Sequence, residues 1–165
     1  MRVLGIDCGT QYTGYGVIEL DSSGDLLCLT CGAIKLPPSQ PLPAKLATIF
    51  SGLSLIISDH HPDEVAIEDV FYAVNVKSAF KLGQVRGVAM LAASSAGLTV
   101  AEYAPLSVKS AVVGYGRAEK YQVQHMVQNL LKLPELPEPP DAADALAIAI
   151  CHLHTAATLR SQRAI

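Results

Sequence analysis

Two short apolar runs end in acids: VLGID closes on Asp7 and EVAIE closes on Glu68. Their interiors do not alternate between polar and apolar residues, so each reads as a strand covered on both faces, as inside a parallel sheet. Parallel strands need crossover connections, and the crossovers lay helices on the sheet faces. As parallel neighbours the two strands would run about 4.8 Å apart. Asp7 and Glu68 would then meet at the carboxyl edge of the sheet, where open α/β sheets bind their ligands.

The remaining segments fit around that pair. Arg2–Asp7 is followed by a Gly-containing turn, a strand at Tyr15–Leu20, the Ser22-Ser23-Gly24 turn and a strand at Leu26–Leu36. Pro37–Pro41 is a break, and Pro43–Ser58 carries apolar residues at helical spacing. After EVAIE come a long helix at Lys77–Ala96, a strand at Leu98–Tyr103, a short helix at Pro105–Val113, a helix at Glu119–Leu131 and a last helix from Pro140 to Leu159. The order βββ-α-β-α-β-α-α-α predicts a meander joined to βαβ crossovers. The fold class is α/β: a five-stranded mixed sheet with helices on both faces. We expect one domain over 1–159 and a short tail at 160–165.

The longest stretches without charge, Gly87–Ala101 and Ala145–Leu159, are 15 residues each, short of the roughly 18–20 apolar residues of a spanning helix. An acid at position 7 interrupts any leader-like start. The expectation is a cytoplasmic protein without a membrane partner. Cys28-x-x-Cys31 lies in a strand-like run, where residues three apart fall on opposite faces. We therefore expect reduced structural thiols, not a redox pair or a zinc site.

Asp141 and Asp144 share one face at the start of the last helix. Acids in a first helical turn are favoured by the helix dipole, which is reason enough for them on any helix. The remainder, AADALAIAI, is too apolar for a surface helix and must lie on the sheet. It would carry both acids toward the edge that holds Asp7 and Glu68. Carboxylates gathered there repel one another unless a divalent cation joins them, and hard oxygen donors select Mg²⁺ or Mn²⁺. A pair of such ions suits phosphodiester hydrolysis. The alternative is a set of scattered structural acids.

The net charge of −3 argues against a nucleic-acid partner, but its distribution argues for one. Residues 1–76 carry −6 and residues 133–165 carry −2, while residues 77–132 carry +5. The bases of the middle segment are Lys77, Lys81, Arg86, Lys109, Arg117, Lys120 and Lys132. Gly114 and Gly116 fall between Lys109 and Lys120, and glycine lets backbone approach a phosphate closely. The reading is a DNA-facing surface; ordinary helix-surface charge is the alternative. Phe71 and Tyr72 follow just after EVAIE. The small residues of the long helix suit close approach either to the sheet or to a second subunit.

Five segments, IDCGTQYTGYGV (6–17), AIEDVF (66–71), KLGQVRGVA (81–89), GYGRAEKYQVQHMV (114–127) and DAADALAIAICH (141–152), together resemble the RuvC family of Holliday-junction resolvases. The likeness runs from about residue 2 to 154. It implies an RNase H-like fold, a homodimer and Mg²⁺-dependent paired nicking of four-way DNA junctions, with two ions per site. It implies that Asp7, Glu68, Asp141 and Asp144 are the catalytic metal ligands and that Lys109 and Lys120 lie near the scissile phosphates. It also implies that Phe71 stacks at the junction crossover and that the branch-migration proteins RuvA and RuvB are partners. The first segment also looks like the phosphate-binding hairpin of actin-like ATPases, but 165 residues do not supply the two domains those proteins need. A pre-ribosomal RNA nuclease of the same fold and a chemically inert junction-binding module are the remaining alternatives.

Overall fold

The computed structural model of the chain describes residues 1–69 and 75–163. Strands β1 (Arg2–Asp7), β2 (Tyr12–Leu20) and β3 (Leu26–Lys35) form the antiparallel meander. Helix α1 (Leu42–His60) leads to β4 (Glu64–Glu68), and α2 (Val76–Ser95) leads to β5 (Thr99–Tyr103). Helices α3 (Pro105–Val113), α4 (Lys120–Leu130) and α5 (Pro140–Arg163) complete the chain. The sheet order is β3-β2-β1-β4-β5, with β1, β4 and β5 parallel. This is the mixed sheet expected from the order of elements.

The strand period sorts the core into two layers. Leu4, Ile6, Val65 and Ile67 face α1 and α2, packing on Ile49, Leu53, Val85 and Ala89. Val3 and Ala66 face the other way, toward α3, α4 and α5, with Leu146 and Ile150. Burying a side chain of this size stabilises the fold by roughly 1.5–3 kcal/mol. Helix α1 is long and apolar enough to cross a membrane by length and composition; its own Ile49, Leu53 and Ile57 are buried in the core.

Three local expectations need correction. Strand β2 begins at Tyr12, not Tyr15. Its glycines signal close contact with α5 as well as turning: a Cβ on Gly14 would fall 2.1 Å from the carbonyl oxygen of Asp141. Helix α5 continues through Leu159 to Arg163, into the segment expected to be a tail. Cys28 and Cys31 lie on the same face, both packed against the α5 side of the core. The ladder pairs Val17 with Thr30 and Ile18 with Cys28, leaving Leu29 as a bulge. That extra residue changes the parity of the strand, and both thiols are free.

Candidate active site

The parallel ladder pairs Ile6 with Ile67, one step before Asp7 and Glu68. Asp7 shares the parity of Val3, and Glu68 that of Ala66, so both carboxylates emerge on the α5 face. Asp7 also stands opposite Gly14 in the β1–β2 ladder, and Gly14 lies beneath the backbone of Asp141. One strand inward, a Cβ on Gly5 would meet the Ala145 carbonyl oxygen at 2.0 Å. Two glycines therefore let the α5 backbone rest directly on β1 and β2, which brings the first turns of α5 over Asp7. Gly5 and Gly14 shape the site although neither carries a functional group that marks it in the sequence. Their signal was glycine inside a strand run, a mark of close backbone approach.

Asp7, Glu68 and Asp144 line one cleft of about 240 Å³ together with Lys109, Lys120, Pro105, Val108, Val123 and Ala147. Lys109 comes from α3 and Lys120 opens α4. Lys120 Nζ donates to Asp144 Oδ2 at 2.5 Å. Asp141 does not line this cleft, yet its charge acts on both Asp7 and Lys120. Burial, followed by the charges of Asp144, Glu68 and Asp141, raises the Asp7 carboxyl from 3.8 to about 7. Glu68 is raised by burial and by Asp144, against the opposing pull of Lys109 and Lys120. For Lys120 burial acts downward, but its hydrogen bond and charge interaction with Asp144 carry it above the ordinary lysine value.

Asp7 and Glu68, half-buried and raised in proton affinity by burial and by neighbouring acids, stand in a set of oxygen donors that fits a hard divalent cation. Among the described residues, no three His, Cys, Asp or Glu side chains are grouped closely enough to hold a metal ion by themselves. Mg²⁺ is commonly held by one or two carboxylates and keeps several waters, so an open set of this kind suits it.

The other predicted residues divide between two regions. Arg117 is exposed on the loop between α3 and α4. Gly114 caps α3 in the left-handed conformation (φ 93°) and its N–H bonds to Ser110, so the fold itself needs this glycine. Gly116 packs over Leu106. Lys77 and Lys81 are exposed on α2; Lys81 lines a separate cleft with Thr10, Gln11, Pro38, Gln40, Leu42 and Lys45. Arg86, expected on the DNA-facing surface, is largely buried, its side chain 16% exposed, and faces Asp69 and Glu102. Phe71 lies outside the described residues.

A buried contact supports the same layer. His152 of α5 is 5% exposed. Its Nδ1 lies 2.9 Å from the Tyr103 hydroxyl and its Nε2 lies 2.7 Å from Glu64 Oε2. A carboxylate only accepts, which assigns a proton to Nε2; in the neutral ring Nδ1 then accepts from the Tyr103 O–H. The histidine ties α5 to β4 and β5 on the layer that holds the acids.

Comparison with known proteins agrees with this geometry. The family described as crossover junction endodeoxyribonuclease RuvC matches residues 3–152. The chain is 64% identical over 164 residues to the crossover junction endodeoxyribonuclease RuvC of Koribacter versatilis, covering 99% of each. A Thermus thermophilus RuvC structure superposes with a TM-score of 0.88 at 34% identity, covering 96% of each chain. The T. thermophilus RuvC in complex with a Holliday junction substrate gives a TM-score of 0.87 at 32% identity, again covering 96% of each. The fold is RNase H-like, and nucleases of this family are metal-dependent. A family match across nearly the whole chain, on a fold that gathers acids at the sheet edge, leaves one assignment: this chain belongs to the RuvC family of crossover junction endodeoxyribonucleases.

Proposed function

We propose that this chain resolves four-way DNA junctions by Mg²⁺-dependent hydrolysis of phosphodiester bonds, in DNA recombination and repair. The observation that carries this reading is the cleft where Asp7, Glu68 and Asp144 meet Lys109 and Lys120. Asp7, Glu68, Asp141 and Asp144 would hold two Mg²⁺ ions, with Mn²⁺ able to substitute. Bound there, the ions supply activation of a water and neutralisation of charge on the scissile phosphate. Lys109 and Lys120 hold the phosphate over the acids as fixed positive charges, and Asp144 keeps the Lys120 ammonium aimed into the cleft. Arg117, Lys77 and Lys81 contact phosphates farther along the arms, and Phe71 stacks on a base at the crossover.

Resolving a junction needs two related nicks, which a two-fold symmetric dimer supplies. Val76, Phe80 and Leu91 of α2 are 69%, 71% and 56% exposed. A Cβ on Gly83 or Gly87 would meet nothing. Such an apolar, small-residue face supports a second copy as its occupant. Family membership is the support for cytoplasmic action and for RuvA and RuvB as partners.

The test is a synthetic four-way junction incubated with purified protein and Mg²⁺. Symmetric paired nicks are expected, and Asp7→Asn should bind the junction without cutting it. Equal cutting of linear duplex, or a preference for single-stranded RNA, would overturn the reading. Binding without cleavage under any divalent ion would favour an inert junction-binding module.

A further inference from the structure

Glu68 and Asp69 are consecutive, so the strand period sends them to opposite faces of the sheet. Glu68 joins the acids on the α5 face, and Asp69 turns toward α2. Ladder pairing of β4 with β5 ends at Glu68 and Tyr103, and the N–H of Asp69 donates to the Tyr103 carbonyl at 2.7 Å. On the α2 side the Arg86 side chain engages this strand end. Arg86 Nε donates to the Glu68 carbonyl oxygen at 3.1 Å. Its Nη2 lies 3.3 Å from Asp69 Oδ1 and also bonds Glu102 Oε2 on β5. The guanidinium thus bridges the ends of two strands directly behind Glu68.

This arrangement is poorly suited to holding DNA. The side chain is 16% exposed, and two carboxylates already meet its single charge. It is well suited to fixing a strand end. One planar fork serves a carbonyl and two acids at once, which a lysine ammonium on a flexible stem does not do. Helix α2 holds the stem in place, with neighbouring Val85 buried in the core. Groups just outside a metal's ligands orient those ligands, and losing one typically costs 10–100-fold in affinity or activity.

We propose that Arg86 is a positioning residue for Glu68: it fixes the end of β4 from the opposite face of the sheet, so that the Glu68 carboxylate stays aimed at its metal. The inference rests on the reading of Glu68 as a metal ligand. The experiment measures Mn²⁺ binding to the full-length protein by titration calorimetry, beside junction binding in EDTA at several salt concentrations. The calorimetric arm needs no cleavage, so it stands apart from the nuclease test. Arg86→Gln should weaken Mn²⁺ binding at least tenfold while junction affinity in EDTA stays within twofold. Arg86→Lys, which keeps the charge but lacks the fork, should weaken it three- to tenfold, and it carries the test should Arg86→Gln not fold. Mn²⁺ affinity unchanged in the folded variant overturns the proposal. Weaker junction binding with a salt slope reduced by about one phosphate contact would instead make Arg86 a DNA contact.

Discussion

Lys120 Nζ and Asp144 Oδ2 stand 2.5 Å apart, one from the first residue of α4 and the other from the first turns of α5. The pair joins the two halves of the proposed chemistry. Asp144 would receive a cation and Lys120 a phosphate, and each lowers the electrostatic cost of placing the other beside Asp7 and Glu68. The Lys120 side chain is 59% exposed and that of Asp144 26%, so the pair itself adds only about 1 kcal/mol or less to stability.

Lys120→Met removes a positive charge from where the phosphate should sit. Junction cleavage under single-turnover conditions is expected to fall about a hundredfold, the scale seen when one stabilising donor is removed. Mn²⁺ affinity should stay level or rise, because a competing cation has gone. Calorimetry showing Mn²⁺ affinity falling in step with cleavage would place Lys120 among the groups that build the metal site.

The Asp7 carboxyl gives stability a defined pH dependence. Its proton affinity in the folded chain, about 7, exceeds the ordinary 3.8. Between those values the folded chain holds more protons than the unfolded one. Its stabilising contribution is therefore complete below 3.8 and is lost as pH rises through about 7. In EDTA, Tm should fall by roughly 5 °C between pH 5 and pH 8, and Asp7→Asn should flatten that slope. Adding Mn²⁺ at pH 8 should restore Tm. Calorimetric scans of the two proteins across this range check the sign directly.

Gly14→Ala places a methyl group 2.1 Å from the Asp141 carbonyl oxygen. Helix α5 must then lift from β2 near its first turn, at a cost of about 1–3 kcal/mol. Because that turn carries Asp141, Mn²⁺ affinity should drop at least tenfold even at temperatures where the variant remains folded. Gly5→Ala, deeper under the helix against Ala145 and Ala149, should cost about 3 kcal/mol or more in urea titrations.

His152→Ala leaves Tyr103 and Glu64 without their shared partner and opens a gap under α5. A loss of about 2–3 kcal/mol is expected. His152→Asn, which keeps a donor and an acceptor, should recover part of it. Equal stability of the alanine variant and the parent in urea would mean that the network contributes nothing to docking the helix.

Much of this protein is set by its linear sequence, because the relevant signals are local. VLGID and EVAIE are short apolar runs, so they become interior strands, and their terminal acids are carried to one edge. The apolar body of α5 requires burial, so Asp141 and Asp144 travel with it. The five motifs identify the family before any contact is known. Tertiary structure decided what depends on parity, register and partner. Cys28 and Cys31 share a face because one bulged residue shifts the count. Gly14 belongs to a strand because a helix from more than 120 residues later rests on it. Arg86 lies among the basic residues in the sequence, but the sheet places Asp69 and Glu102 around it and turns it from a surface charge into a buried brace. Sequence specifies which groups are present and their local spacing. Their electrostatic meaning depends on neighbours that only the folded chain brings within a few ångströms.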